Sequence, residues 1–325
     1  MKARASLEET RARLAALNKA HDNGIHLTLE EIKNGIEDAY VEIGMKGLAI
    51  VCPVRAERSR ETGEERMNAL TTLLDEYKSL GIAEQIDYDK FALYSIITHS
   101  TAIEGSTISE VENQVLFDEG ISPNKPIAEQ LMNLDLKAAY SEAFRLADAR
   151  SPLTVETLCQ LAARVMKNTG SSYRTALGEF DAAKGELRRI NVSAGRGGRS
   201  YTAWQKLPAS VQAFCAWLAE TRAARNTMTA EQVYRASFEA HFRLVSIHPW
   251  ADGNGRMARL LMNLIQREAG VVLSIVKKEK RAEYIEHLAR AQERDDAGIF
   301  QEFMLGHHMD NIQTQIRQYR ESIGK

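Results

Sequence analysis

A mainly helical, all-α chain is what the sequence predicts: a helical bundle core carrying one short β-hairpin flap. Three observations predict it. Apolar residues recur at helical spacing along most of the chain. Segments open on Ser/Thr-x-x-Glu/Gln pairs and close on glycine, as helices do. Strict alternation is confined to one stretch, residues 187–204.

The elements follow in order. Ser6 to Leu17 is amphipathic, with Leu7, Leu14 and Leu17 roughly in phase. Thr28 to about Ile43 is a second helix opened by the capping box Thr28-Leu29-Glu30-Glu31. Val54 to Glu65 is dense in charge without an apolar period and reads as a loop or an exposed helix end. Met67 to Leu80 is a helix closed by Gly81, and Asp89 to Glu104 is another, stopped by Gly105. Thr107-Ile108-Ser109-Glu110 opens a helix ending near Gly120. Ser151 to Lys167 is amphipathic and helical. Leu187 to Ser193 and Ser200 to Trp204 pair as a hairpin around the glycine-rich turn 194–199. Helices then run over Ala209 to Arg225 behind Leu207-Pro208, and from a Thr229 cap to Ile247. The second of these is apolar on nearly all sides between Val233 and Val245, so it is expected to be buried, with His241 as a core or boundary histidine and not a ligand. Val271 to Val276 is extended, Lys280 to Gln292 is a helix, and Ile299 to Met304 closes the domain before a polar helical tail.

At 325 residues the chain can bury a large core. Its net charge of −2, with acids and bases interspersed, gives no bulk field for a nucleic acid or a membrane surface. No apolar run approaches the length that spans a bilayer, and the N-terminus lacks the apolar core of a signal peptide. The three cysteines are far apart and show neither metal spacing nor a disulfide framework, which suits a reducing, cytoplasmic compartment.

The chemistry is concentrated in His248-Pro249-Trp250-Ala251-Asp252-Gly253-Asn254-Gly255-Arg256-Met257-Ala258-Arg259, a loop that turns into a helix. Gly253 and Gly255 let the backbone approach a ligand closely. Successive N–H groups there, with the first turn of a helix behind them, suit an anion. Asp252 offers the oxygen that Mg²⁺ favours. Arg256 and Arg259 lie on one side of the helix and their forks match phosphate oxygens. Met257, Leu260, Leu261, Leu264 and Ile265 form the opposite, core face, so the polar side is expected to line a cleft. His248 is the one group here whose ordinary pKa suits proton transfer near neutral pH.

This stretch resembles the signature of Fic-domain proteins, His-Pro-Phe-x-Asp/Glu-Gly-Asn-Gly-Arg-x-x-Arg, with Trp250 where Phe is usual. Ser100-Thr101-Ala102-Ile103-Glu104-Gly105 resembles the family's inhibitory motif, Ser/Thr-x-x-x-Glu-Gly/Asn; Ser100 and Glu104 share a helix face. The resemblance implies a Fic fold in which residues 86–310 form the Fic domain. It would contain an inhibitory helix over 89–104 and the signature loop and helix over 248–268. Residues 1–85 would be an accessory helical region, and 311–325 a helical tail. Ser171-Ser172-Tyr173-Arg174 resembles the family's Gly-x-Tyr-Arg segment, from which Arg174 is expected to be structural. Residues 187–204 stand where the family carries a flap that holds a protein target by strand addition. Tyr284 and Gln292 lie where the family borders its adenine pocket, although Tyr284 reads equally well as core.

The implied reaction is transfer of AMP from ATP to a Ser, Thr or Tyr hydroxyl of a protein. His248 is the base, and Asp252 holds Mg²⁺. Gly253, Asn254, Gly255, Arg256 and Arg259 bind the phosphates, and Glu104 inhibits by competing for Arg259. Removal of AMP, transfer of another phosphate group, and a non-catalytic binding module are the alternatives. The protein target is not named by the sequence, and homodimerisation stays open.

Overall fold

The computed structural model describes residues 63–176, 178–194 and 199–324, which fall within one compact unit, Thr62–Lys325. The helices expected over 6–17 and 28–43 lie outside the described residues. The order of elements is α1 (Gly63–Ser79), α2 (Tyr88–Ile103), α3 (Glu110–Asp118), α4 (Ile127–Asp148) and α5 (Val155–Val165). It continues through β1 (Ser172–Thr175), β2 (Gly178–Asp181), α6 (Leu207–Ala223), α7 (Ala230–Ile247), α8 (Asn254–Ala269), α9 (Arg281–Arg294) and α10 (Ala297–Ser322). The mainly helical class expected from the sequence is what the described residues adopt. Among them, no helix is long and apolar enough to cross a membrane.

The helix ends follow local chemistry. Ser109 and Glu112 close a capping box on α3, and Thr229 and Gln232 close one on α7. Each box satisfies two backbone donors at a helix start. Helix α2 ends at Ile103, with Glu104 as its C-cap and Gly105 at φ 106° beyond it.

The core is built around α7 and α8, which pack along each other, with α4 against the far side of α8 and α10 against α7. Helix α7 buries Val233, Tyr234, Phe238, Ala240, His241, Phe242, Leu244 and Val245. Helix α8 is buried on every side, not on one face alone. Arg256, Arg259, Asn263 and Gln266 are as deeply enclosed as Met257 and Leu260. The expected open cleft along its polar side is therefore corrected. Neighbouring helices bring polar partners to that side, such as the Tyr140 hydroxyl, which accepts from Asn263 Nδ2 at 3.1 Å.

Helix α4 was not anticipated. Its C-terminal half has an apolar face of Leu136, Ala139, Tyr140, Ala143 and Leu146, but its first half buries Gln130, Asn133 and Asp135. Buried polar residues break the apolar stripe, and they are tolerated because they are hydrogen-bonded. Asn133 Oδ1 accepts from Thr101 Oγ1 (2.8 Å) and Asn113 Nδ2 (2.9 Å), and its Nδ2 donates to Ser106 Oγ (3.2 Å). This network joins α2, α3 and α4 at the end of α2 that carries Glu104.

The hairpin is also corrected. The regular antiparallel ladder is β1–β2, in the register Tyr173↔Phe180 with those rings stacked at 4.9 Å. The segment 187–204 closes instead through a single bridge, Ser193↔Ser200, flanked by Tyr201 N–H donating to Val192 O (3.1 Å). Alternation marked an extended chain there, but its pairing depends on partners that the alternation does not specify.

Candidate functional site

Helix α7 delivers the loop. His248 is its C-cap, in the left-handed region at φ 55°, with its N–H donating to Leu244 O at 2.9 Å. A non-glycine residue held at positive φ marks a position that the surroundings impose. Imidazole Nδ1 lies 3.3 Å from Val245 O. A carbonyl can only accept, so Nδ1 carries the proton of the neutral ring and the Nε2 lone pair is left to act as a base. Burial depresses the His248 pKa to about 4, aided by Arg188 and opposed by the Val245 carbonyl, Asp252 and Glu104. The imidazole is therefore unprotonated at neutral pH.

The loop is shaped by its own side chains. Trp250 is buried and its Nε1 donates to Gly185 O at 3.0 Å. Asn254 Oδ1 accepts from Trp250 N (3.1 Å) while Nδ2 donates to Trp250 O (2.9 Å). The Asn254 side chain is thus spent on loop shape, and its backbone N–H belongs to the first helical turn, where donors have no partner within the helix. Gly253 caps α8 at φ 80°, and a Cβ there would meet Met166 Sδ at 2.7 Å. Asp252 is exposed at the loop rim, where its Oδ1 accepts from Gly253 N–H at 2.6 Å and its Oδ2 lies 3.8 Å from Arg256 Nη2.

The two arginines differ. Arg256 Nη2 contacts Met166 Sδ at 3.0 Å and Nη1 reaches Val165 O at 3.5 Å, while its buried Nε has no protein partner. Burial lowers its pKa. Arg259 uses four of its five N–H donors. Its Nε donates to Ser100 Oγ (2.8 Å), Nη2 to Ser100 O (3.0 Å) and Glu104 Oε1 (2.6 Å), and Nη1 to the Tyr284 hydroxyl (3.3 Å). Burial raises the Glu104 carboxyl, but Arg259, with Arg256 and Arg281 behind it, outweighs this and holds it below the usual range. An ideal Cβ on Gly255 would lie 2.7 Å from Glu104 Oε1 and 3.1 Å from Arg259 Nη1. The carboxylate therefore rests directly on the first turn of α8, where the dipole and free amides attract an anion.

Tyr284 is buried beneath Arg259, and its hydroxyl also meets His241 Nε2 at 2.8 Å. Gln292 is buried on the same face of α9 and its Nε2 donates to Ser246 Oγ at 3.2 Å. Arg174 is not enclosed. Its side chain is 88% exposed and pairs with Glu179 on the facing strand. The structural arginine is Arg188, which is 1% exposed. Its Nε donates to His248 O at 2.8 Å, and its terminal nitrogens donate to the Ile190 and Thr202 carbonyls. Three further residues were not anticipated: Tyr201, whose ring stacks on His248; Arg281, whose Nε caps α2 at Ile103 O (2.8 Å); and Met166 under the loop. Adjacent Arg188 and Arg189 are alike as sequence, and only position in the fold separates them.

The Fic/DOC family matches residues 152–266. The chain is similar to protein adenylyltransferase Fic of Drosophila melanogaster, with 30% identity over 243 residues, 74% of this chain and 44% of that protein. It is also similar to protein adenylyltransferase fic-1 of Caenorhabditis elegans, with 28% identity over 224 residues, 68% and 40% of the two chains. The chain thus spans less than half the length of these relatives. Among solved structures, a Fic domain containing signaling protein from Bacteroides thetaiotaomicron aligns at TM-score 0.64 and 20% identity, covering 78% of this chain and 98% of that one. Fic-1 from C. elegans aligns at 0.63 and 24%, covering 80% and 73%. At these identities the structural likeness speaks for the fold.

Proposed function

We propose that the protein transfers AMP from ATP to a hydroxyl of a protein target, and that Glu104 holds this activity down, a reading that starts from the match of residues 152–266 to the Fic/DOC family. The observation that carries the reading is the Glu104 carboxylate, bound to Arg259 at 2.6 Å and seated on the first turn of α8. A site that already attracts one anion there suits the phosphates of a nucleotide.

His248 Nε2 takes the proton of the target hydroxyl, whose oxygen bonds to the α-phosphorus as the bond to pyrophosphate breaks. The loop amides at 253–255 and Arg256, with its unpartnered Nε, hold the phosphates. Arg259 takes the γ-phosphate once Glu104 has withdrawn. The donor set fits Mg²⁺, which is held by one or two carboxylates plus substrate phosphates, because Asp252 is a lone exposed carboxylate at the rim. Among the described residues no cluster of three or more His, Cys, Asp or Glu forms a metal cage. Mg²⁺ at Asp252 would neutralise phosphate charge; the protein's own contribution is positioning and electrostatics.

The target docks along 187–204 by strand addition. The described cysteines, Cys159 and Cys215, are free thiols, in keeping with a reducing, cytoplasmic setting. The test is incubation of pure protein with α-labelled ATP and candidate targets, comparing wild type, Glu104→Gly and His248→Ala. Label on protein that rises with Glu104→Gly and vanishes with His248→Ala is expected. No label from Glu104→Gly on any acceptor refutes the reading. Glu104 keeps 34% exposure, which favours a second reading, hydrolytic removal of AMP with Glu104 orienting the water. Loss of label from a pre-modified target would select it.

A further inference from the structure

The Tyr201 ring lies parallel to the His248 imidazole, with centroids 3.9 Å apart and planes 16° apart. Nothing in the transfer chemistry above requires an aromatic ring there. Five hydrogen bonds fix the backbone around it. Tyr201 N–H donates to Val192 O across the turn at 3.1 Å. Arg188 Nη2 donates to the carbonyl of Thr202, the next residue, while its Nε donates to His248 O and its Nη1 to Ile190 O. Arg188 N–H donates to Pro249 O at 3.0 Å. One buried guanidinium thus joins both limbs of the 187–204 segment to the backbone of the base. Charge-assisted bonds to carbonyls are the stronger kind, and a clamp of this type sets the two rings in register.

We propose that Tyr201 is a positioning residue for the transfer proposed above, on which this inference rests: its ring, held by the Arg188 clamp, fixes the plane of the His248 imidazole, so that the in-plane Nε2 lone pair points in one direction, toward the target hydroxyl. The Val245 carbonyl on Nδ1 sets which nitrogen is the base, and the stack sets where that nitrogen points. A hydrogen bond at 3.3 Å restrains the ring about χ2 only loosely; a parallel aromatic neighbour tightens that restraint. A target segment pairing beside residues 199–204 would pass near Tyr201, so the same ring would also set how close its hydroxyl comes.

The test uses the full chain in the Glu104→Gly background, with Tyr201→Ala and Tyr201→Phe. The His248 Cε1 proton, assigned by its absence in His248→Ala, reports the stack through its ring-current shift. Tyr201→Ala is expected to move that resonance downfield and to lower kcat for AMP transfer about 10- to 100-fold, with KM for ATP unchanged. Tyr201→Phe is expected to restore both. Three results overturn the inference: a resonance unmoved by Tyr201→Ala, a moved resonance with unchanged kcat, or a KM for ATP that worsens in step with kcat. Far-UV circular dichroism and the Phe variant exclude misfolding as the cause. A Glu104→Gly protein that transfers no AMP sinks the transfer reading and this inference with it. An active one whose rate ignores Tyr201 sinks this inference alone.

Discussion

Replacing Glu104 by glycine should raise AMP transfer, and the structure sets the size of the rise. The Arg259 guanidinium makes four contacts: Ser100 Oγ, Ser100 O, the Tyr284 hydroxyl and Glu104 Oε1. Glycine removes the last and leaves the other three, so the cation stays held and a nucleotide phosphate finds it already oriented. A hydrogen bond to a charged group contributes about 1.5–3 kcal/mol. With Glu104 one-third exposed, solvent screening reduces the competition to about 1–2 kcal/mol. At about 1.4 kcal/mol per factor of ten, relief of that competition amounts to roughly 5- to 30-fold at subsaturating ATP. The assay is incorporation of α-labelled AMP into protein under initial-rate conditions. Glutamine at the same position keeps the shape and loses the charge, so it should give an intermediate rise. The reasoning is refuted if both variants transfer AMP no faster than wild type while remaining folded.

Further outcomes follow from the same geometry. The folded-state pKa of His248 is about 4 against an ordinary 6.5, and burial also depresses His308, to about 3, and His241. These histidines fold as neutral groups, so their contribution to stability is complete above about pH 6.5 and is lost as pH falls through the folded values. The urea midpoint should hold between about pH 7 and 8 and decline between about pH 6.5 and 4, whereas AMP transfer should keep its base unprotonated at about pH 5.5. Arg174→Ala should change stability by no more than about 0.5 kcal/mol, whereas Arg188→Ala, which orphans three carbonyls, should cost about 2–3 kcal/mol in chemical denaturation. Gly185→Ala would set a Cβ 1.9 Å from Cys159 O at φ 69°, and a loss of more than about 3 kcal/mol, or insoluble protein, is expected. Asp252→Asn should raise the Mg²⁺ concentration needed for half-maximal transfer without moving the denaturation midpoint, because the side chain is exposed.

Sequence alone determined what is local. The mainly helical class, the capping box at Thr229, the stop at Gly105 and the loop at 248–259 are each written in contiguous residues, whereas the box expected at Thr107 forms two residues later, between Ser109 and Glu112. The loop was legible because one short segment supplies the histidine, the carboxylate, the helix start and both arginines, so its geometry needs few distant partners. Tertiary structure decided everything that depends on which surfaces meet. It brought Glu104 to Arg259 across 155 positions and chose Arg188, not Arg174, as the buried guanidinium. It also set Tyr201 over His248, paired 172–181 as the ladder, and buried the polar first half of α4 against α2 and α3. The physical reason is common to these cases. A charged or polar side chain is tolerated inside a fold only where partners from other elements complete its hydrogen bonds, and no single segment states where those partners will be.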